Sequence, residues 1–297
     1  MILRAQSIKK SFSVGRRKLP VVKDVDIYVK KGENVSIVGE SGAGKTTLVH
    51  CLSLLEEYDG GKIYFKEKPI DRKNIHVLRS GVQMVFQNFS ASLDPRMNIK
   101  EAMAEPLRIK RFPLSYIEER VKEVVDIVHL PRHVLMRKKS GLSGGELQRV
   151  AIARALISSP ELVIFDEATS ALDTSTQAII LNLLIDLKMK FSLSYLFVTH
   201  DLTLANFITD RIYVMYRGRI IEEAPTEELF RYPLHPYTML LKKGIFGCMM
   251  QVREGNSEDG CEFYPFCRWA TKECGEHLPS LQKVNDKHFV RCFLYRR

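Results

Sequence analysis

The sequence predicts an α/β protein that carries a helical insertion and a small cysteine-rich appendage. Three observations lead there. Short strand-like apolar runs recur along the chain, a helix-patterned stretch separates two of them, and the composition changes near residue 90 and again near residue 230. The chain has 297 residues, 45% hydrophobic and 27% charged. That balance excludes a disordered or fibrous chain and leaves ample material for a buried core.

The strand runs are Val35–Val38, Val82–Phe86, Leu162–Phe165, Tyr195–Thr199 and Ile212–Met215. They are short and rich in β-branched or aromatic residues, as buried parallel strands tend to be. Thr46–Leu55 has helical character. Thr176–Lys190 places Ile179, Ile180, Leu183, Leu184 and Leu187 on one helical face. Within residues 90–160, Tyr116–Leu130 repeats apolar residues at helical spacing, and Gly144–Ser159 forms a second helix stopped by Pro160. These helices make the insertion, so the expected division is a core over 1–230, interrupted at about 90–160, and an extension over 231–297. The extension is loop-rich and poor in periodic runs, so a metal staple would help it fold.

No apolar run approaches the ~18 residues that a bilayer span needs. Met1–Lys10 contains no long apolar segment, so no secretory signal is expected and a cytoplasmic placement is. The net charge is +10, concentrated in residues 89–160 and 231–297. Two readings fit it: an anionic partner such as nucleic acid or a membrane surface, or ordinary solvated faces. Cys51 stands alone in the first 247 residues. Cys248, Cys261, Cys267, Cys274 and Cys292 crowd the last fifty, which points to metal or redox chemistry in a reducing compartment.

Gly39-Glu40-Ser41-Gly42-Ala43-Gly44-Lys45-Thr46, followed by Thr47, fits G-x-x-x-x-G-K-S/T between an expected strand and an expected helix. Glycines let the backbone turn its N–H groups toward phosphate oxygens, and the following helix adds its positive end. In such a loop Lys45 reaches the β- and γ-phosphates and the Thr46 hydroxyl binds Mg²⁺. Leu162–Glu167 is an apolar strand ending in two carboxylates, a combination expected at the carboxyl edge of a sheet near the phosphate loop. Asp166 would hold Mg²⁺ and Glu167 would polarise an attacking water. Ser143-Gly144-Gly145-Glu146 fits a capping box, and its glycines also offer backbone N–H groups to a phosphate. The residues alone leave a simple cap and a phosphate seat both open.

Leu142-Ser-Gly-Gly-Glu-Leu-Gln148, together with the phosphate loop before it and the acidic strand end after it, resembles the ATP-binding-cassette ATPases. The resemblance implies a P-loop nucleoside-triphosphatase fold: a RecA-like core, an N-terminal β subdomain and the helical insertion. It implies further that Phe12 stacks on adenine, where tyrosine is commoner. Gln87 is implied to sense Mg²⁺ and water, His200 to lie beside the γ-phosphate, and Ser170-Ala-Leu-Asp173 to cross to a partner subunit. Two cassettes pair head to tail in that family, so a second, homologous ATPase subunit, as a heterodimer, is expected. The tail narrows the resemblance. His235-Pro-Tyr-Thr238, Gly260-Cys-Glu-Phe263 and the later cysteines are similar to the C-terminal extension of oligopeptide, dipeptide and nickel importer ATPases, with Glu262 in place of a common proline. The spacing Cys261-x5-Cys267-x6-Cys274-x17-Cys292 suits a [4Fe–4S] cluster or a structural Zn²⁺, and the resemblance implies the cluster. It also implies ATP hydrolysis that powers uptake, two transmembrane permeases, an extracytoplasmic solute-binding protein and a peripheral place on the cytoplasmic face of the cell membrane. No nucleic acid is expected. Two other classes remain open: a cassette ATPase acting on nucleic acid or ribosomes, and an iron–sulfur redox-sensing ATPase.

Overall fold

In this computed structural model residues 1–168, 172–244 and 260–296 are described. The chain begins with strands β1 (Leu3–Val14), β2 (Arg17–Val29) and β3 (Asn34–Val38), then helix α1 (Lys45–Leu52). Strands β4 (Gly60–Phe65) and β5 (Lys68–Ile70), helix α2 (Ile75–Gly81) and strand β6 (Val82–Val85) follow. The insertion carries α3 (Ile99–Ile109), α4 (Leu114–Ile127) and α5 (Gly144–Leu156). Next come β7 (Leu162–Asp166), α6 (Thr174–Phe191), β8 (Ser194–Thr199), α7 (Leu202–Ile208), β9 (Arg211–Tyr216) and β10 (Arg219–Pro225). The tail holds α8 (Thr226–Arg231), α9 (Pro236–Lys242), α10 (Lys272–Glu276), β11 (Gln282–Lys283) and β12 (Phe289–Val290).

Two compact units result. One comprises Met1–Leu3, Val29–Glu33 and Tyr64–Phe197; the other comprises Arg4–Tyr28, Asn34–Ile63 and the described residues from Val198 onward. The described residues after 230 belong to the second unit.

In the first unit β6 and β7 run parallel, with Val82 opposite Leu162 and Val85 opposite Phe165, and β8 lies on the other side of β7. Every residue of β7 is buried, as a parallel strand covered on both faces requires. Phe165 stacks on Phe197 at 4.9 Å and meets Tyr195 edge-on at 5.5 Å. The Tyr195 hydroxyl donates to the Leu184 carbonyl at 3.0 Å, which ties α6 to the strands. Helices α3, α4 and α5 pack on one another. Helix α3 is not among the helices expected from the apolar pattern. It starts at a capping box in which Asn98 accepts from the Glu101 N–H at 2.9 Å and Glu101 accepts from the Asn98 N–H at 3.0 Å.

In the second unit the sheet order is β11-β12-β10-β9-β3, with β3 and β9 parallel and the remaining pairs antiparallel. Strands β1, β2 and β4 pair in the order β2-β1-β4. Its core joins Val38 of β3, Val214 and Tyr216 of β9, Leu229, Tyr237 and Phe263. Tail residues contribute to this core and sheet. Strand β12 extends β10, with Val290 opposite Glu222, and Phe263 enters the core of the unit. A buried ion pair and a buried carboxylate–imidazole contact sit beside that core. Arg211 bonds Glu223 at 2.7 Å and covers the Tyr28 ring at 3.8 Å. Glu222, fully buried, accepts from the Leu234 and His235 N–H groups at 2.7 and 2.9 Å and meets His288 Nε2 at 2.7 Å.

Three expected helices stop earlier than their apolar pattern does. Helix α1 ends at Leu52, α4 at Ile127 and α5 at Leu156. Leu54, His129 and Ser159, just beyond these ends, take φ of +55°, +53° and +51°. A left-handed residue cannot continue a right-handed helix.

Candidate functional site

The phosphate-loop motif follows β3 directly and ends in α1. Gly39 has no room for a side chain, because a Cβ there would lie 2.2 Å from the Met215 carbonyl oxygen. Gly44 has φ +97°, and its Cβ would lie 2.6 Å from the Val21 oxygen. Both glycines are steric requirements of the curl. Lys45 is buried, and its ammonium donates to the Gly39 and Glu40 carbonyls at 2.8 Å each. The Glu40 N–H donates to the Tyr237 hydroxyl at 2.9 Å. This support for the loop comes from almost two hundred residues away, and no local signal in the sequence announced it. Burial raises the Tyr237 pKa, so the hydroxyl stays neutral. Thr46 and Thr47 stand in the first turn of α1, which carries no acidic residue. Its positive end is therefore not neutralised locally. Phe12 lies on β1, half exposed, with the Lys10 ammonium 4.8 Å from its ring centre. His200 follows β8 and is exposed.

In the other unit Asp166 ends β7 and is 2% exposed, while Glu167 leaves the strand with φ +46°. Gln87, two residues past β6, donates from Nε2 to Glu167 Oε2 at 3.3 Å. Two residues eighty positions apart thus meet because their strands are parallel neighbours. The arrangement joins an amide and a carboxylate, both able to hydrogen-bond a water molecule. Gln148, fully buried in α5, donates to the Ala168 carbonyl at 2.8 Å, tying this helix to the segment just after the acidic pair.

The capping box at Ser143 is formed. Ser143 Oγ accepts from the Glu146 N–H at 3.3 Å and Glu146 accepts from the Ser143 N–H at 2.8 Å. The latter bond holds the Glu146 carboxyl below its usual range. Gly144 and Gly145 open the helix. Ser170 and Ala171 of the expected crossing loop lie outside the described residues, as does Cys248. Leu172 and Asp173 are described, and Asp173 caps α6 by accepting from the Thr176 N–H at 3.0 Å.

Cys261, Cys267, Cys274 and Cys292 all line one cavity of about 20 Å³ together with Phe263, Tyr264 and Trp269. The Cys261 N–H donates to the Cys274 carbonyl at 2.8 Å. Burial pushes the Cys261 thiol up to about 12 and Cys292 up to about 11. Among the described residues no group of three or more His, Cys, Asp or Glu side chains is arranged to hold a metal ion. The expected ligand set is thus gathered around one cavity but does not form a metal site. The open space between these side chains is that of about one water molecule. The donor chemistry, four thiols and no carboxylate on the wall, suits soft-metal groups.

A glycine-rich loop of the phosphate-binding pattern, an acidic strand end and a helix opening on Ser-Gly-Gly define the class: a P-loop nucleotide-binding cassette. Comparison with known proteins agrees. The ABC transporter family model matches residues 22–170, and the model for the oligopeptide/dipeptide transporter C-terminal region matches residues 221–274. The chain is 38% identical over 320 residues to the oligopeptide transport ATP-binding protein AppF of Bacillus subtilis, covering 99% of this chain and 97% of that one. It is 35% identical over 302 residues to the dipeptide transport ATP-binding protein DppF of Haemophilus influenzae, covering 96% and 92%. Among solved structures it resembles cbiO1 from Clostridium perfringens, part of the ABC transporter complex cbiONQ. There the TM-score is 0.71 at 27% identity, over 78% of this chain and 91% of that one. It also resembles the dimeric post-hydrolysis state of the cassette MJ0796 bound to ADP and Pi, with TM-score 0.69 at 30% identity, over 75% and 98%. The chain belongs to the ABC transporter ATPases. These comparisons do not favour the nucleic-acid, ribosome or redox-sensing alternatives. Among the described residues no helix is long and apolar enough to cross a membrane.

Proposed function

We propose that this chain is the ATP-hydrolysing subunit of a membrane importer for peptides or a related small solute. The observation that carries the reading is the match of residues 221–274 to the C-terminal region of oligopeptide and dipeptide transporters, joined to a complete set of cassette motifs.

In this reading the loop Gly39–Thr47 wraps the phosphates, with Lys45 leaving its two carbonyl partners for the β- and γ-oxygens. Phe12 stacks on the adenine. Thr46, Gln87 and Asp166 would hold Mg²⁺, which supplies charge neutralisation at the phosphate oxygens. Glu167 accepts a proton from the attacking water at a carboxylate oxygen. Gln87, already bonded to Glu167, orients that water, and His200 donates toward the γ-phosphate. Ser143, Gly144 and Gly145 serve the ATP of a second, homologous subunit, because a helix N-terminus stabilises phosphate charge. The partners are that subunit in a heterodimer, two transmembrane permeases and an extracytoplasmic solute-binding protein, and the chain sits peripherally on the cytoplasmic face of the membrane. Alone, it is expected to hydrolyse ATP slowly, at a rate rising more than linearly with concentration. Reconstituted with its permeases, turnover is expected to rise on adding binding protein loaded with peptide. A fast rate strictly proportional to the concentration of the isolated chain, or peptide without effect on the complex, would count against the reading.

The cysteine-rich extension belongs to the same proposal. Cys261, Cys267, Cys274 and Cys292 would ligate one [4Fe–4S] cluster, a thiolate-bound group that holds the tail loops together. Support comes from their common cavity and from a donor set without oxygen ligands. Anaerobically purified protein is expected to contain about four irons per chain and to be brown. Cys274→Ser is expected to lose iron while keeping ATP binding. Stoichiometric zinc without iron would replace the cluster with a structural zinc site.

A further inference from the structure

The turn joining α3 to α4 has a composition that the ATP chemistry does not use. Every residue from Arg108 to Tyr116 is exposed. Four are large and apolar: Ile109 and Leu114 at 74% and 71% exposure, with Phe112 and Tyr116, whose rings stack at 4.9 Å. Three are cations. The side chains of Arg108, Lys110 and Arg111 enter no hydrogen bond or ion pair among the described residues. Neighbouring acids are engaged elsewhere, Glu105 with Arg154 at 2.5 Å and Glu118 with Lys100 at 2.8 Å, while Glu119 is exposed one turn into α4. The backbone is tied down, since the Arg111 N–H donates to the Arg108 carbonyl at 2.9 Å and the Phe112 N–H to the Leu107 carbonyl at 3.1 Å. The patch is thus a shaped platform.

Apolar side chains held in water at this density mark a contact surface. The interleaving indicates what kind. Against an apolar protein surface the three cations would be buried unpaired, which is costly. An anionic bilayer accepts both sets at once: the rings and aliphatic groups enter the headgroup–acyl boundary, and the cations stay among the phosphates. We propose that Arg108–Tyr116 is a membrane-interface contact that seats on anionic phospholipid. The proposal rests on the transporter reading only for the presence of a bilayer nearby.

The test uses the purified full chain and no nucleotide. It is mixed with vesicles of phosphatidylcholine alone, or of phosphatidylcholine and phosphatidylglycerol in equal parts, and the bound fraction is read by flotation. The wild-type chain is expected to float with the anionic vesicles and to be released as salt rises. R108Q/K110Q/R111Q is expected to bind about a hundredfold more weakly, as three cations at an anionic surface imply. Phe112→Ser with Leu114→Ser is expected to leave only weak, salt-sensitive binding. ATP binding should be unchanged in both, since the turn is exposed throughout. Should the triple variant fail to fold, the charge reversal Lys110→Glu, read in the same way, decides. Equal binding to both kinds of vesicle, or variants that float like wild type, would overturn the proposal. A wild-type chain that ignores vesicles, with variants that fail to join the permeases, would assign the turn to a protein partner and overturn it as well. Absence of ATPase activity would bear on the transport reading alone.

Discussion

Glu167→Gln is expected to lower ATP turnover by about 10²–10⁴-fold, the usual contribution of a positioned general base. Nucleotide binding should survive, and two cassettes should accumulate in a closed, ATP-bound pair. Glutamine keeps the shape of the side chain and a carbonyl oxygen for the Gln87 amide, which stands 3.3 Å from Glu167 Oε2. What it loses is the ability to accept a proton from water. Lys45→Ala separates binding from chemistry in the opposite sense. The lysine is placed by the Gly39 and Glu40 carbonyls, and its removal would delete the proposed phosphate contact, so nucleotide affinity itself should fall. Steady-state ATPase assays beside nucleotide-binding titrations distinguish the two. Normal turnover in Glu167→Gln would remove the carboxylate from the proposed mechanism.

Glu222→Ala is expected to destabilise the second unit by about 3–5 kcal/mol, the cost of removing one partner from a buried, hydrogen-bonded carboxylate site. Its buried carboxylate accepts from two consecutive backbone N–H groups and meets the buried His288 ring. Alanine would leave the Leu234 and His235 N–H groups and an imidazole nitrogen without their acceptor. Hydrogen exchange at those two amides should accelerate, and the denaturation midpoint should drop. Glu222→Gln should be milder, because it retains one acceptor oxygen. Exchange at wild-type rates in the alanine variant would show that the tail does not depend on this hub.

The motifs are legible in the sequence and the scaffold partly so. The phosphate loop, the acidic strand end and the Ser143 cap could be read from residue order, because each is a local structure whose spacing is dictated by the backbone it must form. The strands Leu162–Asp166 and Ser194–Thr199 were legible for a related reason, since full burial forces a continuous apolar run. Helix α3 escaped because Pro106 lies inside it, and proline ordinarily argues against a helix interior. The ends of α1, α4 and α5 escaped because left-handed backbone at Leu54, His129 and Ser159 leaves no mark in residue type.

The tail shows the boundary between the two kinds of information most sharply. Its cysteine spacing was readable and pointed to a shared ligand set, but spacing does not say how far apart the thiols stand in space. Its apolar residues were too scattered to suggest a core, yet Tyr237 and Phe263 pack with β3 and β9. Local motifs are written in sequence because their atoms are neighbours along the chain. The pairing of Gln87 with Glu167, the Tyr237 hydroxyl that holds the phosphate loop and the buried seat of Glu222 each join distant segments. Only the tertiary structure decides those, because burial and hydrogen bonding between remote residues depend on which surfaces the whole chain brings together.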